Sequence, residues 1–336
     1  MNQRNILTRI VTTRGMGQVI TATIALIVLC IVFASLNEYF WSERNLHNLT
    51  RQIVPILLVG IGQSYVLITA NIDLSIGSVV GMSCMMSATL MTRGYSPWSA
   101  SLITMLACLV IGLLNGALVA KCKLPPFIAT LGTMTIARGI AQIVNNNRNT
   151  DSIGDAGQGF RDFLYGPTFD EKFFLYNPVW IAIILWAVFY FLLSWTRTGR
   201  HIYAVGSNID ASRLSGVNVN RTVCVAYLVS AFCACVVGLI TTASSGMGAM
   251  DAGNMYEMYA VAASVIGGVS TLGGQGILLG TIFGAAIWSV LQNGLQFANA
   301  MVGIRNIVIG AIVVISVLLD VVIRSGKWKR LGKKNS

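Results

Sequence analysis

Long runs of apolar residues alternate with short polar segments along almost the whole chain. Most of these runs are roughly 18 to 22 residues long, the length that an α-helix needs to cross a hydrocarbon layer about 30 Å thick. The pattern predicts an all-α, polytopic membrane protein with about ten transmembrane helices. We place these helices at 18–36, 52–70, 75–92, 98–119, 126–144, 177–195, 222–243, 257–270, 277–297 and 303–323.

The composition excludes a water-soluble protein. The chain has 336 residues, of which 55% are hydrophobic and only 10% are charged, against roughly 25% charged in an ordinary soluble domain. The first apolar run follows a short basic tail, but no small-residue cleavage pattern follows the run. We therefore expect a tail at 1–17, one transmembrane domain at 18–323 and a basic tail at 324–336.

The distribution of basic residues predicts the orientation in the membrane, because Lys and Arg concentrate in cytoplasmic segments. With the N-terminus inside, 15 of the 23 basic residues lie on the cytoplasmic side. They are Arg4, Arg9, Arg14, Lys121, Lys123, Arg197, Arg200, Arg213, Arg221, Arg324, Lys327, Lys329, Arg330, Lys333 and Lys334. We expect both termini in the cytoplasm. Spans two to five and seven to ten then run in opposite directions, as in an inverted repeat.

A polar segment at 196–221, which contains GRHIYAVGSNIDASRLSGVNVNR, separates two apolar runs on the cytoplasmic side. Ser207 or Asn208 can cap a short helix. Asp210 then falls in its first turn, and Arg213 falls near its last turn. Gly216 stands where a left-handed residue ends many helices. The resulting helix, at about 208–216, is too short to be stable alone, so a packing partner is required for its apolar residues, which include Leu214.

These residues resemble the ribose-type permeases of bacterial ABC importers, in the branched-chain amino acid and sugar permease family. Further matches occur in the same order along the chain: NLHNLTRQ at 45–52, ITANIDLSIGSVVG at 68–81, GLLNGALVAKCKLPPFIATLGTMTIARGI at 112–140 and YEMYAVAASVIGGVSTLGGQGILLGTIFGA at 256–285. The resemblance implies a vitamin B12-importer-like permease fold in a bacterial inner membrane. It also implies a second permease subunit, identical or different, two cytoplasmic ATPase subunits and a periplasmic sugar-binding protein.

The same resemblance gives the short helix a role. It implies that 208–216 is the coupling helix, which sits in a groove of the ATPase, with Asn208, Asp210, Arg213, Leu214 and Gly216 as its functional residues. The cargo that it implies is a monosaccharide or related polyol, whose identity the sequence leaves open.

Several polar residues fall within or beside the predicted spans, where their cost makes them candidates for a translocation pathway or gate. They are Asn71, Asp73, Asn115, Arg138, Gln292, Asn293 and Gln296. Asp73 can instead cap the start of a helix. Arg138 can snorkel outward, bond to backbone carbonyls or line a cavity. The stripe at 292–296 can line a path or form hydrogen bonds between helices.

The remaining motifs exclude other classes of function. No GxxxxGK[ST] phosphate loop occurs, so ATP hydrolysis requires a separate chain. The seven cysteines form no CxxC pair, and the two histidines lie in loops on opposite sides, so we expect neither a metal site nor a cofactor, and no catalytic set of an intramembrane enzyme. Basic residues in tails and loops fit membrane orientation better than nucleic acid. An ion-coupled secondary sugar transporter is the alternative, but it requires midplane carboxylates, and Asp73, Glu257 and Asp320 fall near span ends.

Overall fold

The computed structural model describes residues 16–167 and 176–324, and these residues are mainly helical. The α-helices in that part of the chain are α1 Met16–Leu36, α2 Glu43–Ile68, α3 Ile76–Thr92, α4 Pro97–Ala120, α5 Pro126–Ile143, α6 Gln158–Tyr165, α7 Asn177–Trp195, α8 Arg197–Ser207, α9 Ile209–Leu214, α10 Val219–Ser245, α11 Tyr256–Ile266, α12 Leu278–Phe297 and α13 Val302–Arg324. Short 3-10 helices occupy Glu38–Trp41 and Asp155–Gly157. The tails at 1–15 and 325–336 lie outside the described residues.

Each of the ten predicted spans coincides with a helix, and six of the helices in the described ranges are long and apolar enough to cross a membrane. These six are α1, α2, α4, α7, α10 and α12. α3, α11 and the apolar part of α13 are shorter apolar helices. The protein is therefore a multi-pass helical membrane protein.

Helix ends follow from local sequence. The Ser42 hydroxyl accepts a hydrogen bond from the Asn45 N–H at the start of α2, and the Ser96 hydroxyl caps α4 in the same way, with Pro97 in its first turn. Proline suits that position because it lacks an N–H that would otherwise be unpaired. α10 ends at Gly246, whose φ of 69° is the left-handed conformation that glycine adopts without strain.

α10 lies at the centre of the bundle, packed on α2, α3 and α4. α2 also packs on α11 and α12, and α1 packs on α12. Glycines allow the closest of these contacts: Gly280 lies against the Gly267 carbonyl, and Gly284 against the Ala263 carbonyl. α1, α4 and α7 leave large apolar side chains exposed on the outside of the bundle, as expected for helices that face lipid.

Two non-helical segments pack partly within the bundle. The first, 69–75, joins α2 to α3. The second, 246–255, runs back along α3, with Gly248 beside Met85 and Gly253 beside Gly77. Non-helical backbone is tolerated at membrane depth only where protein or a water-filled cavity surrounds it. The second segment therefore stands where further helical turns would otherwise precede α11.

The two ends of the bundle can be told apart by the elements that they carry. We call the end with α8, α9 and the turn at 267–276 the α9 end. The opposite end, with α6 and the first turn of α2, is the α6 end.

Three sequence predictions need correction. α2 begins at Glu43, nine residues before the predicted start at 52, because Ser42 supplies a cap. α11 ends at Ile266, earlier than the predicted 270, because the glycines that follow form a turn. The polar segment 196–221, for which one short helix was predicted, contains the additional helix α8, which Thr196 caps.

Candidate functional site

The short helix α9 has the predicted local structure. The Asn208 side-chain oxygen accepts a hydrogen bond from the Ala211 N–H at 2.8 Å. Asp210 and Arg213 form an ion pair of 3.6 Å on its exposed surface, and Gly216 beyond its end has a φ of +80°. Leu214 is 91% exposed. An apolar side chain with so much exposure on so short a helix has no packing partner within the described chain.

α8 connects α9 to the rest of the bundle. The Tyr203 hydroxyl donates a hydrogen bond of 2.8 Å to the Gly276 carbonyl, and burial raises the pKa of Tyr203 to about 12. The hydroxyl therefore stays protonated, and able to donate, at every pH well below 12. Gly206 packs against the Ile68 carbonyl and the Gly274 N–H, which are themselves hydrogen-bonded at 2.8 Å. A displacement of α8 thus acts directly on the last turn of α2 and on the turn at 267–276.

Asp73 accepts hydrogen bonds from three donors on neighbouring elements. One carboxylate oxygen accepts from the Ser75 N–H at 2.9 Å and the Ser75 hydroxyl at 2.6 Å, and the other accepts from the Ser230 hydroxyl at 2.6 Å. Asp73 thereby fixes the first residues before α3 and ties them to α10. Asp73 does not itself cap α3, whose capping residue is Ser75; its carboxylate bonds to Ser75 and so supports the helix start, where a negative charge is favourable.

Asn115 extends the same network to α4 and α5. Its amide donates to the Ser75 hydroxyl at 2.8 Å, and its carbonyl oxygen accepts from the Thr133 hydroxyl at 2.6 Å. Asn71 does not join the network, because its amide donates to the Thr69 carbonyl and hydroxyl, both at 2.9 Å. Of the predicted pathway residues, Asp73 and Asn115 are therefore brought together, and Asn71 makes only a local turn.

Arg138 on α5 binds backbone carbonyls, one of its three predicted alternatives. Its guanidinium donates to the Met250 carbonyl at 2.9 Å and to the Ala252 carbonyl at 3.0 Å. These carbonyls belong to the non-helical segment 246–255, where no helix supplies their usual donors. The arginine therefore satisfies backbone groups that the break in the helix would otherwise leave unpaired.

The predicted polar stripe on α12 divides between two uses. Asn293 is buried and exchanges two hydrogen bonds with Asn45 of α2, at 2.9 and 3.0 Å. Asn293 therefore forms hydrogen bonds between helices, which was the second alternative predicted for this stripe. Gln292 and Gln296 instead line open clefts.

The larger of these clefts opens between α2, α10, α11 and α12 and has a volume of about 370 Å³. Its wall consists of amide, hydroxyl, aromatic and aliphatic side chains and one guanidinium: Asn48, Arg51, Gln52, Pro55, Ile56, Tyr165, Ile240, Thr241, Ser244, Tyr256, Tyr259 and Gln292. A second cleft of about 210 Å³, with Gln296 and Arg305 in its wall, shares Gln52, Tyr259 and Gln292 with it. We call the larger one the Gln52–Gln292 cleft.

Arg51 occupies the mouth of the Gln52–Gln292 cleft. Its guanidinium carbon lies 3.6 Å from the ring centre of Tyr176 and 5.1 Å from that of Tyr165, a cation–π arrangement. Sequence reasoning missed Gln52 and Tyr259. Their only sequence signal was a polar or amphipathic residue within an apolar run, and most such residues face other helices.

A multi-pass helical bundle with a polar cleft between its helices and a short exposed helix at one end is typical of a membrane transport subunit. The chain belongs to the family described as branched-chain amino acid transport system, permease component, whose model matches residues 45–317. It is a transport component and not an enzyme. The resemblance seen in the sequence is thereby confirmed.

Similar proteins carry sugar-transport names. The chain is 34% identical to the ribose import permease protein RbsC of Haemophilus influenzae, over 88% of this chain and 91% of the relative. It is 32% identical to the D-allose transport system permease protein AlsC of Escherichia coli, over 88% of this chain and 89% of the relative. It is 31% identical to the galactose/methyl galactoside import permease protein MglC of Escherichia coli, over 88% of this chain and 92% of the relative. No solved structure matches the chain significantly.

Proposed function

We propose that the chain is the permease subunit of an ABC importer that moves a monosaccharide or related polyol across a bacterial inner membrane. The observation that carries this proposal is the similarity, along nearly nine-tenths of the chain, to permeases named for ribose, D-allose and galactose. ATP hydrolysis in a separate ATPase subunit drives the transport.

The chemistry of the Gln52–Gln292 cleft favours a neutral sugar over an amino acid. An amino acid carries an ammonium group, which requires a carboxylate or several carbonyl partners when it leaves water. The residues that line the two clefts include no Asp or Glu. Amides, tyrosines and hydroxyls instead offer the mixed donors and acceptors that sugar hydroxyls need.

The proposed orientation places the α9 end in the cytoplasm, with both termini, and the α6 end outside. α9 then docks in the ATPase through Leu214, with Asn208, Asp210, Arg213 and Gly216 shaping the helix. The α6 end receives sugar from a periplasmic binding protein, and a second permease subunit completes the pathway. We propose ten crossings in a vitamin B12-importer-like arrangement for the subunit.

Ion-coupled secondary transport is the less favoured function. It requires a carboxylate that exchanges protons or Na⁺ during the cycle. The Asp73 carboxylate is already bound by three donors, and the Asp320 carboxylate accepts from the Thr271 N–H and hydroxyl at 3.1 Å. Both groups are tied to structural positions.

The test is transport by the chain in proteoliposomes, purified together with its ATPase and binding-protein partners. We expect uptake of radiolabelled ribose, allose or galactose that requires ATP on the ATPase side and the binding protein on the other. Uptake driven by an ion gradient, with the chain alone and no ATP, would establish the secondary transporter in its place.

A further inference from the structure

We propose that Asp320 is a positioning residue that carries the movement of α8 and α9 into α13, through the turn at 267–276. The inference rests on the proposed function, in which α9 docks in the ATPase. It adds the route by which an ATP-dependent movement at the α9 end reaches the α6 end, and the residue on which that route depends.

The turn itself is a compact unit held by its own hydrogen bonds. The Ser270 N–H donates to the Gln275 carbonyl at 3.0 Å, and the Leu272 N–H donates to the Ser270 hydroxyl at 3.1 Å. Gly273 and Gly274 have φ angles of +83° and +69°, a conformation that glycine adopts without strain. Because the turn is closed in this way, a displacement at one of its contacts reaches the others.

The turn rests on α8. The Tyr203 hydroxyl donates to the Gly276 carbonyl at 2.8 Å, and the backbone of Ser207 packs against Gly274. Ser207 is the last residue of α8, and the next residue, Asn208, caps α9. A displacement of α9 therefore arrives at the turn within a single residue of the chain.

α13 is bound to the same turn by Asp320. One oxygen of its carboxylate accepts hydrogen bonds from both the N–H and the hydroxyl of Thr271, each at 3.1 Å. Asp320 is only 8% exposed, so little water competes for these bonds. Since Asp320 lies in the last two turns of α13, the bonds attach this end of the helix to the turn.

α13 extends from this attachment to the opposite end of the bundle. It packs mainly on one neighbour, α11, and it leaves Ile307, Val314 and Leu318 more than half exposed, so a polar link at its end has a large share in fixing its position. Arg305, about 22 Å from Asp320 along the helix, forms part of the wall of the smaller cleft. A shift of α13 at Asp320 therefore alters that wall.

The turn also contacts α2, and this contact makes the experiment specific. The Gly274 N–H donates to the Ile68 carbonyl at 2.8 Å. That bond involves neither Thr271 nor Asp320. A substitution at Asp320 therefore separates α13 from the turn and leaves α2 attached to it.

The first test compares Asp320→Ala with Asp320→Asn in the reconstituted complex, with radiolabelled ribose, allose and galactose as substrates. Asp320→Ala loses both bonds to Thr271, and we expect sugar uptake per ATP hydrolysed to fall about 10-fold. The ATPase should still co-purify, because α9 is unchanged. In Asp320→Asn the amide oxygen can accept both bonds, so the ratio should stay within about twofold of the unmutated value. A purely structural role would instead lower the melting temperature and the yield of complex, and leave the ratio unchanged.

Thr271 gives an independent variant on the other side of the link. Thr271→Val removes the hydroxyl bond and keeps the N–H bond, so we expect a smaller fall in uptake per ATP, about 3-fold. Thr21→Val is the matched control, because the exposed Thr21 hydroxyl bonds to the Gly17 carbonyl within α1. Equal ratios in Thr271→Val, Asp320→Ala and the control would overturn the inference.

The second test follows α13 at its far end. Asn306→Cys places a thiol at an exposed position in the wall of the smaller cleft, and mass spectrometry of that peptide gives its rate of maleimide labelling without nucleotide and after trapping with ATP and vanadate. We expect different rates in the two states, and equal rates once Asp320→Ala is added. A difference that survives Asp320→Ala, or no difference without it, would contradict the route through α13.

The unmutated complex separates this inference from the proposed function. If it transports none of the three sugars in the presence of ATP and its binding protein, the proposed function fails, and the role of Asp320 fails with it. If it transports one of them and Asp320→Ala couples ATP hydrolysis to uptake equally well, only the role of Asp320 fails.

Discussion

The Asp73 carboxylate shows how a charged residue is held inside an apolar bundle. An unpaired buried carboxylate is costly, but three hydrogen bonds and the start of α3 compensate for its lost hydration. Ser75 and Ser230 supply those bonds. The residue therefore ties the junction between α2 and α3 to α10.

Arg138 stabilises the non-helical segment 246–255, and its replacement should lower stability. Arg138→Leu leaves the Met250 and Ala252 carbonyls without donors, at a cost of about 1–3 kcal/mol each. We expect a lower melting temperature of the detergent-solubilised protein in a thermal unfolding scan. Arg93→Leu is the control, because Arg93 makes one exposed hydrogen bond, to the Val144 carbonyl. A shift no larger than that of Arg93→Leu would contradict the role of Arg138.

At the scale of elements, α8 links the exposed helix α9 to the helices that surround the cleft. A side chain at Gly206 would collide with the Ile68 carbonyl and approach the Gly274 nitrogen at 2.6 Å. α8 would then have to move away from α2. If α9 is the coupling helix, as proposed, this close contact would carry its movement to the bundle.

Gly206→Ala should therefore weaken the coupling of ATP hydrolysis to transport. We expect the complex to assemble and hydrolyse ATP, while sugar uptake per ATP falls by about 10-fold or more, a penalty of roughly 1.4 kcal/mol. Gly132→Ala is the control, since a Cβ at Gly132 meets no atom within 4 Å. Equal coupling ratios in the two variants would show that α8 does not transmit the movement.

Leu214 provides a separate test of α9 as the docking element. Because the side chain is 91% exposed, Leu214→Glu should leave the folded permease intact, but it places a charge in an apolar groove of the partner. We expect loss of the ATPase subunit on co-purification. Met301→Glu, 76% exposed at the α6 end, should retain it. ATPase recovery from Leu214→Glu at the unmutated level would exclude docking through this residue.

At the scale of the whole molecule, one native cysteine reports the orientation. Cys122 is the exposed member of the seven cysteines, and Gly116, six residues before it, packs on Cys224 near the start of α10, at the α9 end. In intact cells stripped of their outer membrane, a membrane-impermeant maleimide should label Cys122 only after permeabilisation. Ser152→Cys, near α6, should be labelled without it. Labelling of Cys122 in intact cells would reverse the proposed orientation.

Much of the architecture could be predicted from the sequence, because long apolar runs require helices and because caps are local. α9 follows from Asn208 and its neighbours alone. The segment 246–255 could not be predicted as buried, since its glycines and polar residues have the composition of an exposed loop. Its packing depends on partners far away in sequence, among them Arg138, which is 112 residues away from Met250.

The choice between pathway and packing roles for polar residues was equally beyond the sequence. Gln292 and Asn293 are adjacent, yet one lines a cleft and the other pairs with Asn45, 248 residues away. A rotation of about 100° between neighbouring residues on a helix decides the difference. Only the packing of α12 against α2 fixes which of the two faces inward.

The shortness of α11 also has a consequence for biogenesis. With 11 residues, α11 spans about 16 Å, which is half of the hydrocarbon thickness. At this point of the chain the insertion machinery therefore has no full-length apolar segment to release into the lipid. Within 246–255, the Met250 and Ala252 carbonyls find their donor only when Arg138 of α5 is already in place. We therefore expect α11 to take its final position only after α5, which precedes it in the chain, has been inserted.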